Sequence, residues 1–254
     1  MTQKTKKYIY KRPESLTNDI TIYCPGCGHG IIHKIIAEII DELGIREKTI
    51  GIAPVGCAVL AYNYFNFDVT EAAHGRPPAV ATGIKRCLPD RIVFTYQGDG
   101  DLAAIGTAEI IHAAARGENI TVIFVNNGVY GMTKGQMAPT TLLGQQTTTT
   151  TKGRTALQHG YPIRVCELLA TIEGATYIER TKIDSIPDII KTKRAIKKGF
   201  LYQIENKGFS LIEVLSTCPT NWRKTPSKAM EWVGAEMANF FPTGVYKDKG
   251  NPNK

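Results

Sequence analysis

The chain contains 254 residues, of which 43% are hydrophobic and 21% charged, and its formal net charge is +8. That length can bury a complete core, so we predict one large domain over residues 1–254 with basic extensions at both ends. No apolar run is long enough to span a bilayer, and no apolar segment follows the basic residues 1–14, so we expect a cytoplasmic protein without membrane contact. The basic residues lack interleaved aromatic side chains, which argues against a nucleic-acid partner and favours acidic proteins or polyphosphates.

Strand and helix patterns alternate along the chain, which predicts an α/β fold: a mostly parallel sheet with helices on both faces. The loop over residues 128–154 is long and rich in threonine, and we expect it to cover an active site. The predicted elements in chain order are a strand or extended segment over 20–23, a helix over 31–43, a strand over 49–55, a helix over 79–88, a strand over 91–96, a glycine-rich turn over 97–101, a helix over 102–115, strands over 120–125 and 175–180 separated by a helix over 165–172, a helix over 186–198, a strand over 210–215 and a closing helix over 227–240.

The glycine-rich turn has the chemistry of an anion site. Gly98 and Gly100 let backbone amides approach an anion at a helix start, and Asp99 between them offers a carboxylate oxygen to a divalent cation. Asn126 and Asn127 follow the next predicted strand, so their amide oxygens reach the same edge of the sheet. Either motif alone is commonly a tight turn or a polar strand end. Together they predict a Mg²⁺ site beside a phosphate ligand, whereas dinucleotide and P-loop sequences are absent.

This spacing resembles the thiamine diphosphate motif, in which a GDG sequence is followed by NN. The resemblance implies that Asp99, the Asn127 side chain and the Val129 carbonyl hold Mg²⁺. It also implies a diphosphate site lined by Gly98, Gly100 and Asp101, and we expect further cofactor contacts from Gly56, Cys57, Tyr130 and Gly131.

Four of the six cysteines fall where a shared site is expected. Cys24 and Cys27 form a CxxC pair before a helix, while Cys57 and Cys218 each follow a predicted strand at its carboxyl end. Four such thiolates suit zinc or a cubane iron–sulfur cluster, and the CxxC pair alone also suits a thioredoxin-type redox pair. The other two lie in apolar stretches, and we predict that they pack in the core; these are Cys87 and Cys166.

The whole pattern resembles the β subunits of 2-oxoacid:ferredoxin oxidoreductases, most closely the 2-oxoisovalerate type. The matching motifs are CPGCG at 24–28, GC at 56–57, HGR at 74–76, the thiamine motif, YGMTKGQ at 130–136, and the cysteine before Pro219. Lys134 replaces the second glycine of the family's loop. The resemblance implies the thiamine diphosphate-binding fold and one 4Fe-4S cluster on Cys24, Cys27, Cys57 and Cys218. The implied partners are a pyrimidine-binding α subunit, γ and ferredoxin-like δ subunits, and ferredoxin.

We therefore expect a subunit of an enzyme that converts a 2-oxo acid and coenzyme A to an acyl-CoA and CO₂ while reducing ferredoxin. His74 and Arg76 are candidate cofactor or substrate contacts. The segment after Cys57 contains Leu60 and no cation, and Met132 is apolar, so we favour a branched-chain acid such as 2-oxoisovalerate. The alternatives are a 2-oxoglutarate or pyruvate enzyme, a non-oxidative thiamine-dependent decarboxylase subunit, and a noncatalytic zinc-stapled scaffold.

Overall fold

The computed structural model describes residues 10–250, and its centre is a seven-stranded sheet with the strand order β2-β1-β3-β4-β8-β7-β9. All neighbouring strands in it are parallel except the pair β7 and β9. A separate antiparallel pair joins β5 to β6. The strands are β1 Thr49–Ala53, β2 Asp68–Glu71, β3 Ile92–Gly98, β4 Thr121–Asn126, β5 Val129–Tyr130, β6 Gln136–Met137, β7 Ala175–Lys182, β8 Phe209–Leu215 and β9 Gly244–Asp248.

Helices cover both faces of this sheet, so the predicted mostly parallel α/β fold is confirmed. One buried cluster packs α1 and α7 on the sheet, and a second packs α3, α4 and α6 on the other face. The α-helices are α1 His29–Leu43, α2 Ala61–Tyr64, α3 Pro77–Cys87, α4 Thr107–Ala115, α5 Ala156–His159, α6 Val165–Ala170, α7 Ile186–Ile204, α8 Pro219–Trp222, α9 Pro226–Trp232 and α10 Ala238–Phe240.

Local signals explain where several helices begin and end. Gly44 adopts the left-handed conformation that closes α1, with φ at 62°, as its position after the isoleucine pattern predicts. The proline pair at residues 77–78 occupies the first turn of α3, where a missing amide hydrogen costs nothing. Ser185 caps α7 by accepting a hydrogen bond from the amide of Asp188.

The structure departs from the predicted elements in a few places. Residues 20–23 form no strand. The predicted turn over 97–101 is also absent, because β3 continues through Gly98, residues 99–100 are helical, and Asp101–Ile105 is a π-helical segment. The edge strands β2 and β9 were not predicted. The residues of β2 are mostly exposed and those of β9 are exposed or half-buried, so neither shows the apolar pattern of a buried strand.

Cys87 contradicts the prediction that it packs in the core. It is the last residue of α3 and is exposed, because the buried positions of that helix, 77, 78, 81 and 85, lie on another face. Cys166 is buried as predicted. The two cysteines therefore differ in environment although their sequence contexts are similar.

Much of the positive charge on α7 is neutralised within the chain. Lys193 and Lys197 form ion pairs with Glu42 of α1, and Lys198 pairs with Asp248 of β9. These pairs weaken the case for acidic partners at this helix. The predicted basic extensions lie largely outside the described residues. No helix within residues 10–250 is long and apolar enough to cross a membrane.

Candidate functional site

A cavity of about 140 Å³ opens at the carboxyl ends of β1, β3 and β4. Parallel sheets bind ligands at this edge because the loops of neighbouring strands converge there. Arg76 and Leu60, both predicted to be site residues, do not line it. The predicted site residues that line it are Gly56, Cys57, His74, Gly98, Asp99, Gly100, Asp101, Asn127, Val129, Tyr130, Gly131 and Met132.

Asp99 is almost fully buried in the floor of this cavity. One carboxylate oxygen accepts a hydrogen bond from the Gly100 amide and the other from the Thr140 hydroxyl, each at 2.8 Å. Burial raises the pKa of Asp99 to about 6, against the lowering effect of these donors. A divalent cation in the cavity would hold the carboxylate in its ionised form.

Asn127 lines the same cavity. Its Oδ1 accepts a hydrogen bond from the Val129 amide at 3.1 Å, and its backbone carbonyl accepts one from the Trp222 indole at 3.1 Å. A carboxylate, an amide oxygen and a carbonyl are hard donors that suit Mg²⁺, which needs only one or two carboxylates when phosphate oxygens complete its shell. The donor set therefore fits Mg²⁺ bound together with a diphosphate.

Asn126 has a different role from its neighbour. Its side-chain amide donates to Glu213 of β8 at 2.8 Å, and its Oδ1 accepts from the Gly128 amide at 3.2 Å. Glu213 in turn pairs with the fully buried Arg180 of β7 at 2.8 Å. The first asparagine of the pair thus holds the turn after β4, and the second faces the cavity.

The glycines of the motif meet two different requirements. A Cβ atom on Gly98 would meet nothing within 4 Å, so this backbone is open to approach by a ligand. A Cβ atom on Gly100 would lie 2.1 Å from the Tyr130 ring, so any other residue there would displace this wall of the cavity.

Asp101 lines the cavity, but both of its carboxylate oxygens are already engaged. Oδ1 lies 2.5 Å from His74 Nδ1 and accepts from the Gly75 amide at 2.7 Å, while Oδ2 accepts from Gln97 at 2.6 Å. The carboxylate therefore orients the His74 ring, which also lines the cavity. The nearby Arg76 forms an ion pair with Glu109 of α4 and is turned away from the site.

The four predicted cluster cysteines lie in one region. A Cβ atom placed on Gly131 would lie 3.1 Å from Cys57 Sγ and 3.8 Å from Cys218 Sγ, so these two sulfurs converge beside the cavity. Burial, together with the proximity of Cys218, Cys57 and Cys24, raises the pKa of Cys27 to about 12. Burial likewise raises the pKa of Cys57 to about 11.

These thiols have the donor chemistry of a metal cluster without its geometry. Within residues 10–250 no group of three or more His, Cys, Asp or Glu side chains is arranged to hold a metal ion. Buried thiols with raised pKa values lose their protons when a cation is supplied, and thiolate sulfur is the ligand of iron–sulfur clusters. The donor set fits such a cluster, and binding would require the sulfurs to close around it.

Several residues of this region were not predicted from the sequence, including the three that follow. His29 lines the cavity, and burial lowers its pKa to about 4. Asn221 donates to Cys218 Sγ at 3.2 Å and to the Gly131 carbonyl at 2.9 Å, which links the cysteine to the cavity wall. Thr140 contacts Asp99. His29 directly follows the CPGCG sequence and was detectable, whereas nothing distinguishes Thr140 from the other threonines of its loop.

Comparison with known proteins points to one group. Residues 54–214 match the family "Thiamine pyrophosphate enzyme, C-terminal TPP binding domain". Ketoisovalerate oxidoreductase subunit VorA of Methanothermobacter marburgensis is 49% identical over 243 residues, which cover 96% of this chain and 51% of that protein. The 2-oxoglutarate synthase subunit KorB of Methanocaldococcus jannaschii is 41% identical over 212 residues, covering 83% of this chain and 73% of that protein.

A solved structure extends the similarity to three dimensions. The 2-oxoglutarate:ferredoxin oxidoreductase of Magnetococcus marinus, with 2-oxoglutarate, coenzyme A and succinyl-CoA bound, matches with a TM-score of 0.76 and 28% identity. The match covers 97% of this chain and 88% of that one. The present chain spans about half the length of the ketoisovalerate relatives.

Proposed function

Because the chain belongs to the thiamine pyrophosphate enzymes and, within them, to the subunits of 2-oxoacid oxidoreductases, we propose that its cavity binds thiamine diphosphate through Mg²⁺. The complete enzyme oxidatively decarboxylates a 2-oxo acid, transfers the acyl group to coenzyme A and reduces ferredoxin. The observation that carries the proposal is the convergence of Asp99 and Asn127, from two neighbouring strands, on one cavity.

The chain's own residues bind and orient the cofactor. Asp99, the Asn127 side chain and the Val129 carbonyl would hold Mg²⁺, and the open backbone at Gly98 admits the diphosphate. Tyr130, packed against Gly100, limits the access of water to the cavity. When bound, thiamine diphosphate supplies the carbanion and the electron sink that decarboxylation of a 2-oxo acid requires.

His74 is the polar side chain best placed to contact a ligand from the side wall. Its Nδ1 is engaged by Asp101, so the ring is held with its other nitrogen free to donate or accept a hydrogen bond. Arg76 stays with Glu109 and is not part of this arrangement. His74 therefore orients a reacting group, while Arg76 supports α4.

The four thiols would hold a 4Fe-4S cluster. The approach of the Cys57 and Cys218 sulfurs to Gly131, a residue of the cavity wall, supports a metal site beside the cofactor. A cluster accepts electrons one at a time, which an oxidative decarboxylation that ends on ferredoxin needs and structural zinc does not provide. Asn221, which donates to Cys218, would tune the cluster through an N–H···S hydrogen bond.

Partner chains would complete the active site. The cavity of about 140 Å³ is smaller than the roughly 300–1,000 Å³ of most ligand pockets, so this chain forms part of the binding site. A pyrimidine-binding α subunit supplies the rest, including the carboxylate that activates the aminopyrimidine ring. Subunits of γ and ferredoxin-like δ type, with ferredoxin, accept the electrons, and coenzyme A enters as co-substrate of the complex.

We further propose 2-oxoisovalerate or a similar branched-chain acid as the substrate. Within the described residues, no lysine or arginine lines the cavity, so a second carboxylate would be buried there without a cation from this chain. Met132 supplies an apolar, adaptable side chain to the wall. The 49% identity to a ketoisovalerate oxidoreductase subunit exceeds the 41% identity to a 2-oxoglutarate synthase subunit.

Cofactor binding by variants tests the Mg²⁺ and thiamine sites. Asp99→Ala and Asn127→Ala should each abolish Mg²⁺-dependent binding of thiamine diphosphate, because each removes an oxygen ligand of the bridging cation. Asp90→Ala is the matched control, since Asp90 is an exposed carboxylate before the opposite end of β3. Wild-type affinity in both site variants would overturn the assignment.

The metal content of anaerobically purified protein separates the proposal from its alternatives. Iron with sulfide and a broad visible absorption supports the ferredoxin-linked enzyme. Bound thiamine diphosphate without iron would instead indicate a non-oxidative decarboxylase. Zinc without bound cofactor would indicate a noncatalytic scaffold.

A further inference from the structure

The loop over residues 128–154 forms a hydrogen bond with Asp99, the carboxylate proposed to bind Mg²⁺. Thr140 is fully buried, and its hydroxyl donates to Asp99 Oδ2 at 2.8 Å. The other oxygen of Asp99 accepts from the Gly100 amide. The backbone amides of Asn127 and Gly128 act on the carboxylate as well, so it cannot rotate freely, and its remaining lone pairs have fixed directions.

Arg154 holds the segment that carries this threonine. It is only 4% exposed, and among the described residues no carboxylate forms an ion pair with it; burial alone lowers its pKa. Its guanidinium instead donates to backbone carbonyls on two sides: those of residues 138, 139 and 141, and those of residues 159, 160 and 161. A buried charge is costly unless its N–H donors have acceptors. The six carbonyls satisfy the guanidinium and so hold Arg154 and the two segments together.

A second contact fixes the same segment to the turn after β4. The Thr141 hydroxyl donates to the Gly128 carbonyl at 2.6 Å and accepts from the Ala138 amide at 2.8 Å. The stretch 138–141 is thus held by Arg154 on one side and by the residue after Asn127 on the other. This part of the loop therefore packs against the turn that carries the cavity floor.

We propose that Thr140 is a positioning residue for the divalent cation, held in place by Arg154. The proposal rests on the Mg²⁺ site described under the proposed function. The Thr140 hydroxyl fixes the Asp99 carboxylate in the orientation that offers an oxygen to the cation. The hydrogen bonds from Arg154 to the carbonyls around Thr140 set the position of that hydroxyl. Partners of this kind around a ligand contribute about 10–100-fold to metal affinity in other sites.

The test measures the dissociation constant of Mg²⁺ in the assembled protein at saturating thiamine diphosphate, by calorimetry. Thr140→Val keeps the shape and removes the donor, and it should raise this constant by about 10–100-fold. Thr140→Ser restores the hydroxyl and should return the constant to within about threefold of wild type. Thr148→Val changes an exposed threonine of the same loop and should have no effect.

Two further variants guard against simple disruption of the fold. Thr140→Ala also lacks the donor but has a smaller side chain. If the Thr140→Val variant does not fold, the Mg²⁺ constants of Thr140→Ala and Thr140→Ser are compared instead. Arg154→Lys keeps the charge but has only three donors for six carbonyls, and it should weaken Mg²⁺ binding in the same direction. An unchanged Mg²⁺ constant in folded Thr140→Val or Thr140→Ala, or equal loss in Thr140→Ser, would overturn the proposal.

The same titrations distinguish failure of this inference from failure of the proposed function. If Asp99→Ala abolishes Mg²⁺ binding and Thr140→Val does not weaken it, only the positioning role of Thr140 is refuted. If Asp99→Ala binds Mg²⁺ like wild type, the metal site itself is wrong, and the inference is overturned with it.

Discussion

Replacing Asp99 with asparagine should make the metal-free protein more stable while destroying its metal site. Burial raises the pKa of this carboxyl from 3.8 to about 6, so the folded protein without a cation resists ionising it. Asparagine has a similar shape and carries no charge, and the Thr140 hydroxyl can accept as well as donate a hydrogen bond. The Asp99→Asn variant therefore avoids the cost of a buried, unpaired negative charge.

The magnitude follows from the pKa. Because the folded pKa is raised, the stability due to the protonated carboxyl is fully present below about pH 4 and is lost as the pH rises through about 6. At about 1.4 kcal/mol per pKa unit, the loss amounts to about 3 kcal/mol by pH 8. For a chain of this length that corresponds to about 6–12 °C in Tm.

Thermal unfolding in the presence of a chelator, followed by circular dichroism across this pH range, measures the effect. The Asp99→Asn variant should match wild type near pH 4 and unfold at a higher temperature near pH 8. Adding Mg²⁺ with thiamine diphosphate should stabilise wild type alone, because only wild type retains the ligand. A variant that is equally or less stable than wild type near pH 8 would refute the reasoning, as would a gain that does not depend on pH.

Three further predictions concern the complete enzyme. Serine at any one of the four site cysteines, Cys24, Cys27, Cys57 or Cys218, should abolish reduction of ferredoxin and lower the iron content. In contrast, Cys166→Ser should mainly lower Tm, because Cys166 is buried. Cys87→Ser should change neither the iron content nor Tm, because Cys87 is exposed. The isolated chain should not turn over a 2-oxo acid with coenzyme A and a dye acceptor, and full activity would show that no pyrimidine-binding partner is needed. On the assembled complex, kcat/KM should be higher for 2-oxoisovalerate than for 2-oxoglutarate and should differ modestly from that for pyruvate, and a clear preference for 2-oxoglutarate would contradict the apolar pocket.

The long polar segment after β4 is ordered by its contacts with the cavity. The loop over residues 128–154 lines the cavity with residues 129–133, and the part over 138–154 packs behind Asp99. Its threonines differ in environment: Thr140, Thr141 and Thr150 are buried, whereas those at 148, 149 and 151 are exposed. That the loop covers the active site stays a prediction.

Local sequence patterns were sufficient for the central strands and for the main helices. The isoleucine spacing and Gly44 defined α1, and the proline pair at residues 77–78 defined the start of α3, because these signals act within one or two helical turns. The GDG and NN motifs also indicated the cavity from sequence alone. Parallel strands bring their carboxyl ends to one edge, so residues after two such strands must meet.

Only the tertiary structure decided which partner each polar group found. Asp101 forms hydrogen bonds with His74 and Gln97, and Asn126 forms one with Glu213. Asp99 accepts a hydrogen bond from Thr140, which lies 41 positions later in the chain. The edge strand β9 exists because β7 offers it an unpaired edge, which no pattern within residues 244–248 reveals. Such contacts depend on packing between distant segments, and several side chains of similar chemistry compete for each one, so composition and spacing could not select among them.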